Sequence, residues 1–401
     1  MTTQILTDEA LKAEVTAWLA EHWKPKAGDQ GAGFGLHPHR DFMAKVVEAR
    51  WAVPTWPKDW YGREMSAAQA KIIEKAFAAV GAPGAGQDKS NLWANTAMAH
   101  ATPAFKKTIV PALLKGEVGM CLLYSEPGAG SDLAAIRTRA DRNGDHYVVN
   151  GQKVWTSGAA VADYGMLIAR TDWDVPKHKG ISFFFLPMKQ PGIEVRPLRQ
   201  ITNEAHFNEV FITDAVVPAD NMLGPLNNGW GVLQTALAYE RSVMGDAARG
   251  PRSGQDNPKG DGALVELARE AGRLNDPVIR QEVAQVTAYK VLNRLNNARA
   301  KAELAQGNSS PIMSLGKLAM SRILHEEARL RSKLLGAGSL LEGPDHPRAE
   351  DANFLSLNAY FTSIGGGTDQ IQRNIIGERV LGLPKEPEVD RDMAFRDVRS
   401  G

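Results

Sequence analysis

The chain has 401 residues, 43% hydrophobic and 23% charged, an ordinary globular composition long enough for two or three domains. Its 47 Lys and Arg offset 46 Asp and Glu, so charge gives no pull toward nucleic acid or an anionic membrane, and one cysteine, Cys121, excludes an internal disulfide framework and a multi-cysteine metal site. No run approaches the roughly 18 uninterrupted apolar residues of a membrane span, and the N-terminus lacks the basic-then-apolar order of a secretory signal, so a cytoplasmic location is expected.

Leu11, Val15, Trp18 and Leu19 recur at helical spacing after a Thr7-Asp8 start signal, and helical patterns broken by Gly and Pro clusters continue to about Gly116. The texture then changes. Tyr147-Val148-Val149, Asn150-Gly151 and Val154-Trp155 read as a β-hairpin turning at Asn150-Gly151. Ile181 to Leu186 reads as a strand, Gly192 to Pro197 alternates, and Phe207 to Val217 reads as a pair of short strands. Helical periodicity returns from Gly229. Arg249 to Gly262 has loop composition, Asp276-Pro277 opens a helix to about Gln306 that Gly307-Asn308 stops, another spans Pro311 to Leu335, and Thr368 caps a last one through Arg379. The expected fold is α+β, with an N-terminal helical domain over 1–117, a middle β-domain over 118–225 and a C-terminal helical bundle over 226–401.

Within Tyr124-Ser-Glu-Pro-Gly-Ala-Gly-Ser-Asp132, Gly128 and Gly130 let a backbone approach a ligand and Ser125 and Ser131 add hydroxyl donors, although a plain surface turn fits the segment as well. No GxGxxG string links a strand to a helix, so a Rossmann site is not supported. Ser125 to Asp132, Asn150-Gly-Gln-Lys-Val-Trp-Thr-Ser157 and Thr368-Asp-Gln-Ile-Gln-Arg373 together resemble, in order and spacing, three signatures of the acyl-CoA dehydrogenase family, and the resemblance covers nearly the whole chain.

That resemblance implies FAD as cofactor and an acyl-CoA substrate. It implies that Ser125 bonds the flavin edge with Tyr124 in backbone contact, that Gly130 lies in the cofactor loop, and that Trp155 lies against the isoalloxazine with Ser157 near N5. It puts Ser131 at the CoA portion, and Thr368, Gln370 and Arg373 at the phosphate and adenine side of FAD, in keeping with anion binding at a helix N-terminus. An electron-transferring flavoprotein is the implied acceptor. A homotetramer, or a heterotetramer with a related chain, is the implied assembly.

The base departs from the commonest family pattern. The loop that usually carries a glutamate reads Ile364-Gly365-Gly366-Gly367-Thr368, and Gly366 stands at the matching position. Leu233, Ala236, Leu237, Glu240 and Met244 share one helical stripe, so Glu240 falls on an apolar face, where a carboxylate is costly; an edge position paired with Arg241 is the other reading. A minority branch, with isovaleryl- and long-chain-type enzymes, carries its glutamate at this helix position, and Glu240-Arg241 matches its Glu-Arg pair. Glu240 is then the expected base, Arg241 a structural or CoA-side charge, and the Gly366 N–H an oxyanion donor. Gly365 and its neighbours either widen the acyl pocket for a branched, ring-bearing or sterol-like group, or form a plain turn before a helix.

Lys333 and Ala337 replace residues of the family's flavin-contacting Gln-x-x-Gly-Gly-x-Gly stretch, and Arg269 is the nearest counterpart of its Arg-x-x-Phe-Gly segment, which favours a hetero-oligomer. Cys121 reads as a small packed residue, and the scattered histidines give no expectation of a metal. A flavin monooxygenase or oxidase on the same fold and a non-catalytic partner subunit are the competing functions; Glu240 argues against the first, and its retention with the signature residues argues against the second.

Overall fold

The computed structural model describes residues 7–25, 36–247, 262–306 and 313–398; most of the expected 249–262 loop and the Gly307-Asn308 stop lie outside them. Helices α1 (Asp8–His22), α2 (Arg40–Glu48), α3 (Ala67–Ala79), α4 (Gln87–Ser90), α5 (Leu92–His100) and α6 (Pro103–Lys115) come first. The Thr7 hydroxyl caps α1, which buries Leu11, Val15 and Leu19, and Gly116 ends α6 in the left-handed conformation that lets its N–H reach back to the last turn.

Strands β1 (Met120–Leu123), β2 (Arg139–Asn143), β3 (His146–Ser157), β4 (Tyr164–Arg170), β5 (Ile181–Pro187), β6 (Ile193–Leu198), β7 (Phe207–Pro218) and β8 (Met222–Leu223) form one sheet in the order β6-β7-β3-β2-β4-β5-β8, with β1 parallel to β4. Because side chains alternate along a strand, Phe183 and Phe185 of β5 join the core shared with the N-terminal helices, while Phe184 and Leu186 join a second core with Tyr147, Val149, Val210 and Ile212. Burial on both faces explains the unbroken apolar run of β5.

Two strand expectations are corrected. Asn150-Gly151 is not a turn: β3 runs through it, and the hairpin turns at Gly144-Asp145, just after Asn143. Asn150 instead exchanges hydrogen bonds with Asp214 of β7 (2.9 and 3.0 Å), and a Cβ at Gly151 would lie 2.4 Å from Thr138 Oγ1, so this glycine serves close strand packing. Phe207–Pro218 is one long strand rather than two, continuous because it pairs with β3 from end to end, with β6 on its other edge along Phe207 to Ile212.

Helix α7 (Gly229–Ala247) follows, then α8 (Ala263–Glu270), α9 (Pro277–Ala305), α10 (Met313–Leu335), α11 (Pro347–Ile364) and α12 (Asp369–Arg379). Asp276 caps α9, accepting from the Val278 and Ile279 amides. No helix among the described residues is long and apolar enough to cross a membrane. Two compact units result. One holds the first helices, the sheet, α7 up to Val243 and the chain's last segment from Val389; the other holds 244–388 with 201–204, around a core of Leu264, Leu267, Ile279, Val283, Leu330 and Leu334.

Candidate functional site

In the first unit, the two glycine- and tryptophan-bearing signatures are bound to each other. The Val154 N–H donates to the Ser125 carbonyl (2.9 Å), and Lys153, fully buried, donates from Nζ to the Tyr124 carbonyl (3.0 Å) and to Glu126 Oε1 (2.8 Å). Glu126 also accepts from the Arg137 and Thr138 amides at 2.6 and 2.9 Å. Burial pushes the Glu126 carboxyl up, but the Lys153 charge and these hydrogen bonds outweigh it and hold the group below its ordinary value. Reading each signature separately misses this pair; the only signal in the sequence was a single cation in one string and an acid in the other.

Trp155 follows Lys153 at a bulge, where the β3–β7 register shifts between Lys153 and Thr156. Its φ of 61° is left-handed, costly for a bulky side chain, and the displaced indole stands 56% exposed, edge-on to Phe207. Ser125 and Ser157 are half-buried, and Ser131 and Gly130 are exposed. A Cβ at Gly128 or Gly130 would meet nothing within 4 Å. The exposed indole, one residue on from the Val154 amide that holds the Ser125 carbonyl, offers the flat apolar face that a ring such as the flavin would cover.

On α7, Val232, Leu233 and Ala236 are buried, Leu237 packs against the same core, and Glu240 is half-buried one turn on. Tyr124 shares that core. Burial first, and the charge of Glu240 second, push its phenol well above the ordinary value, so the Glu240 carboxylate lies within electrostatic reach of the first signature. The Arg241 and Met244 side chains lie outside the described residues. Cys121, buried on β1, has its thiol pushed up to about 12 by burial, which makes it a packed residue and a poor nucleophile.

In the second unit, Gly365 caps α11, and Gly366 and Gly367 carry φ of 67° and 90°. Gly366 and Gly367 therefore have a backbone reason of their own, the turn into α12, while Gly365 is extended with φ of −66°. The Thr368 hydroxyl accepts from the Ile371 N–H (3.2 Å), while Gln370 and Arg373 are exposed beyond it. Gln372, which the signature reading passed over, is buried and donates from Nε2 to the Gly366 carbonyl (3.4 Å). Asp369 accepts from Ser321 Oγ (2.7 Å) and pairs with Lys317 (3.3 Å). Lys333 is tied to Glu282 (3.0 Å), and Arg269 to Glu266.

Family models for the N-terminal, middle and C-terminal domains of acyl-CoA dehydrogenases match residues 7–117, 121–215 and 227–381. The chain is 36% identical over 390 residues to acyl-CoA dehydrogenase FadE34 of Mycobacterium tuberculosis, covering 95% of this chain but 52%, about half, of that relative. It is 34% identical to acyl-CoA dehydrogenase IpdE1 of the same organism, covering 94% of this chain and 98% of the relative. Among solved structures, the Tcur3481-Tcur3483 steroid ACAD is 27% identical with a TM-score of 0.71, over 96% of this chain and 99% of that one. The ChsE4-ChsE5 complex of Mycobacterium tuberculosis is 28% identical with a TM-score of 0.65, over 96% of this chain and all (100%) of that one.

Proposed function

The chain belongs to the acyl-CoA dehydrogenase family, and on that premise we propose that it oxidises a bulky acyl-CoA thioester to the trans-2-enoyl thioester with Glu240 as the base. The observation that carries the assignment is the half-buried Glu240 on the helical stripe of buried Leu233 and Ala236, close enough to Tyr124 for its charge to be felt. Partial desolvation strengthens a carboxylate as a base toward the weakly acidic α-proton.

When bound, FAD supplies the acceptor for the hydride that leaves the β-carbon. Tyr124, Ser125, Gly130, Trp155 and Ser157 would hold its ring side, and Thr368, Gln370 and Arg373 its phosphate side, where the α12 N-terminus suits an anion. Ser131 is assigned to the CoA portion, Arg241 to a charge on its side, and Gly365 to the acyl pocket. The Gly366 N–H is assigned as the donor that polarises the thioester oxygen, a role a backbone group fills whatever its side chain.

One similar solved structure is named a steroid ACAD, and that name, together with the small residues at 365–367, supports a bulky acyl group. Assembly with a related chain is supported by the paired chains named in two similar structures and by the divergent Lys333. An electron-transferring flavoprotein is the proposed acceptor.

The test is anaerobic titration of the yellow protein with straight-chain, branched and ring-bearing acyl-CoAs. Bleaching by a bulky thioester is expected, and bleaching by straight short chains alone would overturn the substrate class. Glu240→Gln should retain flavin and lose about two or more orders of magnitude in rate. Near-normal turnover by that variant would remove Glu240 from the mechanism.

A further inference from the structure

The chain's last described segment, 389–398, packs on the β-domain beside the first signature. The Phe395 and Arg396 amides donate to the Val175 and Trp173 carbonyls (3.0 Å each), and Arg396 pairs with Asp174. Phe395, 1% exposed, lies against Trp173 and under the Arg170 guanidinium, whose carbon sits 3.5 Å from the ring centroid. Arg170 is itself fully buried and donates to the carbonyls of Ala134 (2.6 Å), Ile136 (3.1 Å) and Lys177 (3.0 Å), so it pins the turn that leaves the signature loop. Lys177 then bridges the two segments, at 2.9 Å from Asp132, the last residue of the loop, and 3.2 Å from Asp390.

We propose that this C-terminal segment is a brace for the signature loop and sets the affinity for coenzyme A. Its contacts run through two buried cations that both end on the 132–136 stretch. A side chain at 395 that no longer covers Arg170 lets water reach three backbone bonds, and loss of the Asp390 charge leaves Lys177 held by Asp132 alone. The brace touches neither reacting atoms nor Glu240, so its residues are positioning residues. The proposal rests on the reading that Ser131 contacts the CoA portion.

The experiment compares Phe395→Ala, Phe395→Tyr and Asp390→Asn with the parent, each as flavin-loaded protein. Coenzyme A binding is read by calorimetry and loop opening by hydrogen exchange over 128–137. Phe395→Ala and Asp390→Asn should keep bound flavin, accelerate exchange in that window and weaken coenzyme A about threefold to tenfold, while Phe395→Tyr restores both readouts. A lower melting temperature with unchanged coenzyme A affinity overturns the proposal and leaves only a structural tail. Faster loop exchange without weaker binding overturns it as well. Ser131→Ala separates the two readings: if it weakens coenzyme A and the brace variants do not, the brace fails; if Ser131→Ala binds as the parent does, the underlying assignment fails. Asp390→Asn removes only a charge from a half-buried side chain, so the test stands even if Phe395→Ala does not fold.

Discussion

Replacing Lys153 by methionine should release the first signature loop. Lys153 is fully buried and Glu126 is 9% exposed, so the variant leaves a carboxylate facing the interior with its cation gone. Breaking a buried pair from one side costs about 3–5 kcal/mol. Glu126 keeps its two backbone donors at Arg137 and Thr138, which places the cost near the lower end, about 3 kcal/mol, or roughly a hundredfold in the opening equilibrium. The Val154 amide reports directly, because its bond to the Ser125 carbonyl breaks when the loop leaves β3. Hydrogen exchange at Val154 should therefore accelerate by about two powers of ten in the variant. A double-mutant cycle supplies the control: with Glu126→Gln already present, Lys153→Met should cost much less, since no charge is left unpaired. Parental exchange in Lys153→Met, or an equal cost in both backgrounds, would refute the reasoning.

The same pair fixes an acid response. The Glu126 value is lowered in the folded state, so its contribution is complete above the unfolded value of about 4.3 and is lost as pH falls through the lower folded value. Exchange at Val154, corrected for its intrinsic rate, should stay flat from about pH 7 to 5 and rise only below about pH 4; a rise near pH 6 contradicts the assignment. Thr368→Ala removes the hydroxyl that accepts from Ile371 and should destabilise the start of α12 by about 1 kcal/mol, seen as roughly fivefold faster exchange at that amide. Gly367→Ala should cost about 1–3 kcal/mol in denaturant titration, because φ is 90° and the new Cβ lies 2.9 Å from Gln372 Nε2; a neutral result would mean the loop readily adopts another backbone.

The helical parts were legible because their signals are local. Thr7, Asp276 and Thr368 cap the helices they announced, and the stripe Leu11, Val15, Leu19 is buried as its spacing requires. Strands were harder. Asn150-Gly151 carries the composition of a tight turn, yet what decides its conformation is Asp214 and Thr138, 64 and 13 positions away in the chain. A long β7 was read as two pieces for a related reason: its continuity comes from pairing with β3 from Phe207 to Pro218, and its polar Asn208 and Asp214 bond to Thr156 and Asn150 of that distant strand.

The candidate site divides along the same line. The sequence left the glycine run open between a wide pocket and a plain turn, and type alone does not separate the left-handed Gly366 and Gly367 from the extended Gly365. Glu240 could be placed on its helical stripe by period alone, since a helix reports its own faces. Trp155 could not, because a positive φ at an indole is imposed by a bulge against β7, whose partner residues lie about fifty positions on. Glu126 and Lys153 sit inside the two signature strings and drew no reading of their own, for a buried ion pair is recognisable only when both partners are known. The strings held only part of the clue: Lys153 is the only charge in its string, but that its strand is buried, so that a lone cation there must find an anion, is visible only in the fold. Glu126 is the acid in the other string that meets it, and the Val154 amide holds the same loop at Ser125, so in the fold the two signatures are one structure.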